Sequence, residues 1–183
     1  MVPSPGPQRH YLDERDQCQG TRGATMTSIK AAAEQFLTAK RIAVTGVSRT
    51  PGSHGGNVVY QRLRQTGYEV FAVNPNADTV EGDPCYPDLS SIPGGVEAVV
   101  IATRPAHAAA TVREAADLGI KHVWMHRSVD GGSVDEEATT YGRACGMTVI
   151  DGGCPLMYGP PSDRTHRVMC RLMTWTGRVP RTV

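Results

Sequence analysis

The sequence has no excess of either charge: 19 Lys and Arg stand against 18 Asp and Glu, and no long basic run appears. A surface of that kind does not track a nucleic-acid backbone, so no nucleic-acid partner is expected. Long hydrophobic runs are missing too. The apolar stretches stop at about eight residues, short of the ~20 that span a bilayer, and the N-terminus has no apolar core of a signal peptide. The expectation is a cytoplasmic protein with no membrane partner. The five cysteines, Cys18, Cys85, Cys145, Cys154 and Cys170, include no C-x-x-C pair. An odd set without that spacing suits neither a disulfide framework nor a zinc site, so reduced thiols and no metal are expected.

What is present begins with residues 1–25, rich in Pro, Gly and charge and without apolar periodicity. They predict a disordered leader, with Met26 a candidate start. The next segment, "MTSIKAAAEQFLTAK", reads as a helix capped by Ser28, with Ile29, Ala33, Phe36 and Leu37 on one face. From Arg41 strands and helices alternate. "RIAVTGV", "YEVFAVNP", "VEAVVIATRP", "KHVWMHR" and "MTVIDGG" read as five strands, and residues 57–66, 106–118 and 135–145 read as helices. Units of this length imply right-handed βαβ crossovers. The fold predicted for residues 26–161 is a Rossmann-like α/β domain, a doubly wound parallel sheet of about five strands in the order 3-2-1-4-5. Ligands of such sheets bind at the carboxyl ends of the strands where the order reverses, here strands one and four.

The first of those ends reads "GVSRTPGSHGG" before a helix. Backbone N–H groups around such glycines, with the helix N-terminus behind them, hold phosphates. A dinucleotide fingerprint would place G-x-G-x-x-G here and a carboxylate at the end of strand two. Neither is present: the glycines spread over a longer loop, and strand two ends in Asn74-Pro75-Asn76. A neutral end beside Arg49 tolerates a phosphorylated ribose better than a free diol. The alternative reading, an NAD(P)-binding oxidoreductase or redox sensor, is favoured by the fold and opposed by the missing carboxylate. A third reading is an interaction protein with a vestigial nucleotide pocket.

The other strand ends add Thr103-Arg104-Pro105 and "GGCPLMYG". With the Gly46-x-Ser48-x-x-Pro51 turn, the Val73-Asn74-Pro75 run and Cys154-Pro155, residues 29–159 resemble the CoA-binding domain family, related to the nucleotide-binding domain of the succinyl-CoA synthetase alpha subunit. The resemblance implies coenzyme A, free or acylated, as a small-molecule ligand. It implies that Gly46, Val47, Ser48, Arg49 and Thr50 line the diphosphate, and that Asn74, Pro75 and Asn76 sit by the 3′-phosphoadenosine. Ala102, Thr103, Arg104 and Pro105 would flank the nucleotide and pantetheine, with Met125 and His126 toward the thiol end. No carboxylate stands near His122 or His126 in a triad or metal-ligand spacing, and no catalytic constellation is evident. The expectation is a stand-alone binding domain. Residues 162–183 predict a further helix, with Val168, Leu172 and Trp175 on one face. It would pack on the same domain or, alternatively, form a homodimer contact.

Overall fold

Val44, Val100 and Trp124 point to one side of a sheet and Ala43, Val99 and Met125 to the other, because successive residues of a strand face opposite ways. The computed structural model describes residues 27–52, 55–128 and 131–160 together with 162, 168, 172, 174, 175, 182 and 183. The expected disordered leader lies outside them. Helix α1 (Ile29–Phe36) begins at Ser28, whose Oγ accepts from the Ala31 N–H at 3.2 Å, the predicted cap. There follow β1 (Arg41–Thr45), α2 (Gly55–Gln65), β2 (Glu69–Val73), β3 (Thr79–Val80), β4 (Asp83–Tyr86) and β5 (Ala98–Ile101). The remainder comprises α3 (Pro105–Asp117), β6 (His122–Met125), the short β7 (Arg127–Ser128) and β8 (Gly131–Gly132), α4 (Glu136–Ala144) and β9 (Thr148–Asp151). A 3-10 turn, Pro155–Met157, follows β9.

The main sheet has seven strands in the order β3-β4-β2-β1-β5-β6-β9, parallel except for β3 against β4. The doubly wound α/β class is as expected; the strand count and order are not. The strand expected third, β5, pairs with β1 on the side away from β2, from Ile42 opposite Ala98 to Thr45 opposite Ile101. All four of its residues are buried, whereas β2 begins exposed. A strand apolar on both faces belongs at the sheet centre, under helices on either side. The place beyond β2 goes to β4, which is too short and too polar for periodicity to reveal. Counted third, it gives six parallel strands in the order 3-2-1-4-5-6. The reversal therefore falls between β1 and β5.

Helices α1 and α2 and the 3-10 turn cover one face of the sheet, and α3 and α4 the other. On the first face Trp124 meets Phe36 edge-on at 5.3 Å and donates its indole N–H to the Gly152 carbonyl at 2.9 Å. At the outer rim, Arg143 of α4 donates to the Val149 carbonyl of β9 at 3.0 Å and pairs with Asp151 at 2.9 Å. Beside α1, the Thr27 and Val183 backbones exchange two hydrogen bonds of 3.0 and 2.9 Å. Of the expected C-terminal helix, Val168, Leu172 and Trp175 are exposed, and most of the segment lies outside the described residues. Cys85 and Cys154 are free thiols, whereas Cys145 is disulfide-bonded, against the expectation of five reduced cysteines. Among the described residues no helix is long and apolar enough to cross a membrane.

Candidate functional site

Where β1 ends, the chain turns at Gly46 with φ +74°. Its N–H donates to the Val73 carbonyl at 3.1 Å, and a Cβ built there would lie 2.6 Å from the Ala102 carbonyl oxygen. No side chain fits, and the lack of one lets the ends of β1 and β5 close on each other. Gly56 closes the next contact: a Cβ there would stand 3.1 Å from both the Ala102 methyl and the Gly46 carbonyl. Helix α2 thus starts pressed against the turn.

The loop between them is held by side-chain amides. Asn57, fully buried, accepts the Ser48 N–H and donates to the Ser48 carbonyl, each at 2.9 Å. Ser48 Oγ in turn accepts the Thr50 N–H at 3.1 Å. From the neighbouring strand end, Asn74 donates to the Val47 carbonyl at 2.8 Å while its own oxygen accepts the Asn76 N–H at 2.9 Å. The Asn-Pro-Asn turn and the glycine turn are therefore one unit. Between them opens a cleft of about 670 Å³, lined by Gly46, Val47, Ser48, Arg49, Asn74, Asn76 and Arg104. These seven are all among the residues expected at the site.

Arg49 and Arg104 are exposed, and neither appears in an ion pair or side-chain hydrogen bond among the described residues. Two exposed guanidiniums beside a backbone turn have the chemistry to receive a multiply charged anion. Thr50 and Pro75 extend the two turns, Ala102 and Thr103 lie beneath Gly46, and Pro105 opens α3 behind Arg104. The Thr103 carbonyl accepts the Ser133 hydroxyl at 2.5 Å, while its own Oγ1 is buried without a partner.

Met125 and His126 do not line the cleft. Met125 is fully buried on the α3–α4 side, where its sulfur accepts the Thr139 hydroxyl at 3.6 Å. Strand periodicity turns Met125, expected toward the thiol end, into the core. His126 faces α2 instead: a Cβ on Gly55 would come within 2.9 Å of its Cε1. Burial pushes its imidazole down to about 4, so it stays neutral near pH 7. Cys154 is buried with its thiol pushed up to about 12 by desolvation, which makes it an inert small apolar residue. Among the described residues no three His, Cys, Asp or Glu gather as a metal site.

Asn57 and Glu81 escaped the sequence reading. Asn57 had a signal, a polar residue three before Tyr60 on the buried face of α2. Glu81 had a fainter one, Glu-Gly between the short strands.

The model of the family described as "CoA binding domain" matches residues 40–160. An ADP-forming acetate–CoA ligase II of Archaeoglobus fulgidus is 39% identical over 84 residues, 45% of this chain but 12% of the ligase. The chain thus spans only a small part of that relative. A hypothetical protein from Pyrococcus horikoshii has a solved structure that superposes with a TM-score of 0.64 at 27% identity, covering 73% of this chain and 94% of that one. The apo dinucleotide-forming acetyl-coenzyme A synthetase 1 of Candidatus Korarchaeum cryptofilum superposes at 0.52 with 27% identity, over 62% of this chain and 26% of the synthetase.

Proposed function

The chain belongs to the CoA binding domain family, and from that premise we propose that it holds coenzyme A or an acyl-CoA in the cleft at the carboxyl edge of the sheet. The observation that carries this reading is that two guanidiniums without partners among the described residues, Arg49 and Arg104, share one cleft with the Gly46 turn. CoA brings a diphosphate and a 3′-phosphate. The diphosphate lies over Gly46, Val47, Ser48 and Thr50, within reach of the backbone N–H groups and of Arg49. The 3′-phosphoadenosine rests by Asn74, Pro75 and Asn76, whose neutral turn imposes no charge penalty on a phosphorylated ribose. Pantetheine leaves past Ala102 and Thr103, with Arg104 and Pro105 flanking it, toward the end of β6, where the neutral His126 adds no charge.

The chain acts as a holder of the cofactor. A binding domain of this length superposes on nearly the whole of one solved relative, and on about a quarter of a synthetase. Titration calorimetry of the full chain with CoA, dephospho-CoA and NADH tests the reading. Heat from CoA, weaker binding of dephospho-CoA and none from NADH are expected. Tight NADH binding with no CoA binding would overturn it in favour of a dinucleotide enzyme.

A further inference from the structure

Glu81 is the one residue other than glycine at positive φ among the described residues, at +53°. With Gly82 at +85° it forms the two-residue turn joining Val80 to Asp83. Two successive positive φ values mark a type I′ hairpin turn, whose first position favours Asn or Gly and disfavours a long side chain. Strain of this kind persists where the surroundings hold it, and here its carboxylate is fully engaged. Glu81 Oε1 accepts the Gly52 N–H at 2.9 Å and the Asn57 amide at 2.6 Å, and Oε2 accepts the Gln61 amide at 2.6 Å. Asn57 is the residue that grips both backbone groups of Ser48.

We propose that Glu81 is a positioning residue, which latches the Gly46–Gly52 turn to helix α2 in its phosphate-accepting form. The proposal rests on the CoA reading for the ligand, although the latch itself needs none. An anionic carboxylate this close to a polyanion's site would, by charge alone, weaken binding. Its donors are all neutral N–H groups, and they hold the carboxyl below the usual carboxylate range, the Asn57 amide foremost. The side chain that opposes the ligand in charge therefore supports it by geometry.

Glu81→Gly separates the two effects, because glycine suits the turn better than glutamate and takes the carboxylate away with the rest of the side chain. In the full chain we expect a melting temperature equal to or above that of the wild type, Gly52 amide exchange at least 10-fold faster without ligand, and CoA binding about 10-fold weaker. Glu81→Asn, which also accepts positive φ but falls short of Gly52 and Gln61, should behave alike. Unchanged Gly52 exchange would overturn the latch. Unchanged or tighter CoA binding with faster exchange would overturn its role in positioning. A fall in melting temperature in both variants with CoA affinity unchanged would reduce Glu81 to a structural residue. Should wild-type protein bind no CoA, the CoA reading fails, and Gly52 exchange still decides whether the latch exists.

Discussion

The two ends of the sheet use arginine in opposite ways. At the amino edge Arg41 is satisfied on every side: its Nε donates to the Gly95 carbonyl at 2.8 Å, Nη2 to the Pro93 carbonyl at 2.5 Å, and Nη1 pairs with Glu69 at 2.5 Å. The guanidinium also lies over the Phe71 ring, 4.6 Å from its centre. Nearby, Glu97 accepts the backbone N–H groups of Lys40 and Arg41. At the carboxyl edge Arg49 and Arg104 stand beside the cleft with no ion pair or side-chain hydrogen bond among the described residues. A charge that holds the fold together is surrounded by its partners, whereas Arg49 and Arg104 are free to meet a ligand in the proposed site. The backbone follows the same division, with the close approach of Gly46 to Ala102 confined to the carboxyl edge.

The hardest blow to this contrast is a side chain at Gly46. Gly46→Val drives a Cβ into the Ala102 carbonyl and imposes an unfavourable φ, which should cost roughly 4 kcal/mol in urea unfolding. A variant of ordinary stability would show that the two strand ends are not locked. The next test is acid. His122 opens β6 and His126 follows its last residue, and burial depresses both. A folded-state value of about 4 for His126 against about 6.5 unfolded means that the unfolded chain binds the extra proton. Stability is therefore full above pH 6.5 and falls as the pH drops to about 4, by about 3 kcal/mol. His126→Gln should flatten that slope in unfolding measured from pH 7 to 4, and His122→Gln should flatten it less. Equal slopes in wild type and His126→Gln would mean that His126 is not buried neutral.

Exchanging roles between the arginines sharpens the comparison further. Arg41→Ala should lower stability by about 2 kcal/mol and leave CoA affinity unchanged. Arg49→Ala should weaken CoA roughly 5- to 150-fold, equivalent to about 1 to 3 kcal/mol, and leave unfolding within about 0.5 kcal/mol of wild type. If Arg49 meets the 3′-phosphate, its loss should matter little for dephospho-CoA; a diphosphate contact would penalise both ligands. Affinity lost with Arg41 and kept without Arg49 would reverse the assignment. The smallest effect concerns Cys154 behind the carboxyl edge: iodoacetamide at pH 8 should leave it unmodified in the native chain and label it in urea, read by peptide mass spectrometry.

Long elements were legible because their apolar period is uninterrupted. The helix over 106–118 and the strand ending in Ile101 were both visible in this way. The strand order was not, because it turns on β4, four residues containing Asp83 and Pro84 that resemble a loop until Cys85 and Tyr86 pair with β2. In the site, the glycine turn and the two arginines were readable from type and place along the chain. Met125, expected toward the thiol end, is buried in the core because it alternates with His126 along the chain. Glu81 was invisible for a different reason: its partners lie 20 to 29 residues away, and nothing local in Val80-Glu81-Gly82 names them.

The grip of Arg143 on β9 bears on how copies of the chain behave in a concentrated solution. β9 ends the order of the main sheet, and a terminal strand with free carbonyls is a template for strand addition and aggregation. Here the Val149 carbonyl is occupied by a guanidinium, itself anchored by Asp151. An incoming strand must displace a charged side chain to reach that acceptor, while at the far end β3 offers only two residues to pair with. A side chain on one margin and brevity on the other thus work against strand addition to the sheet.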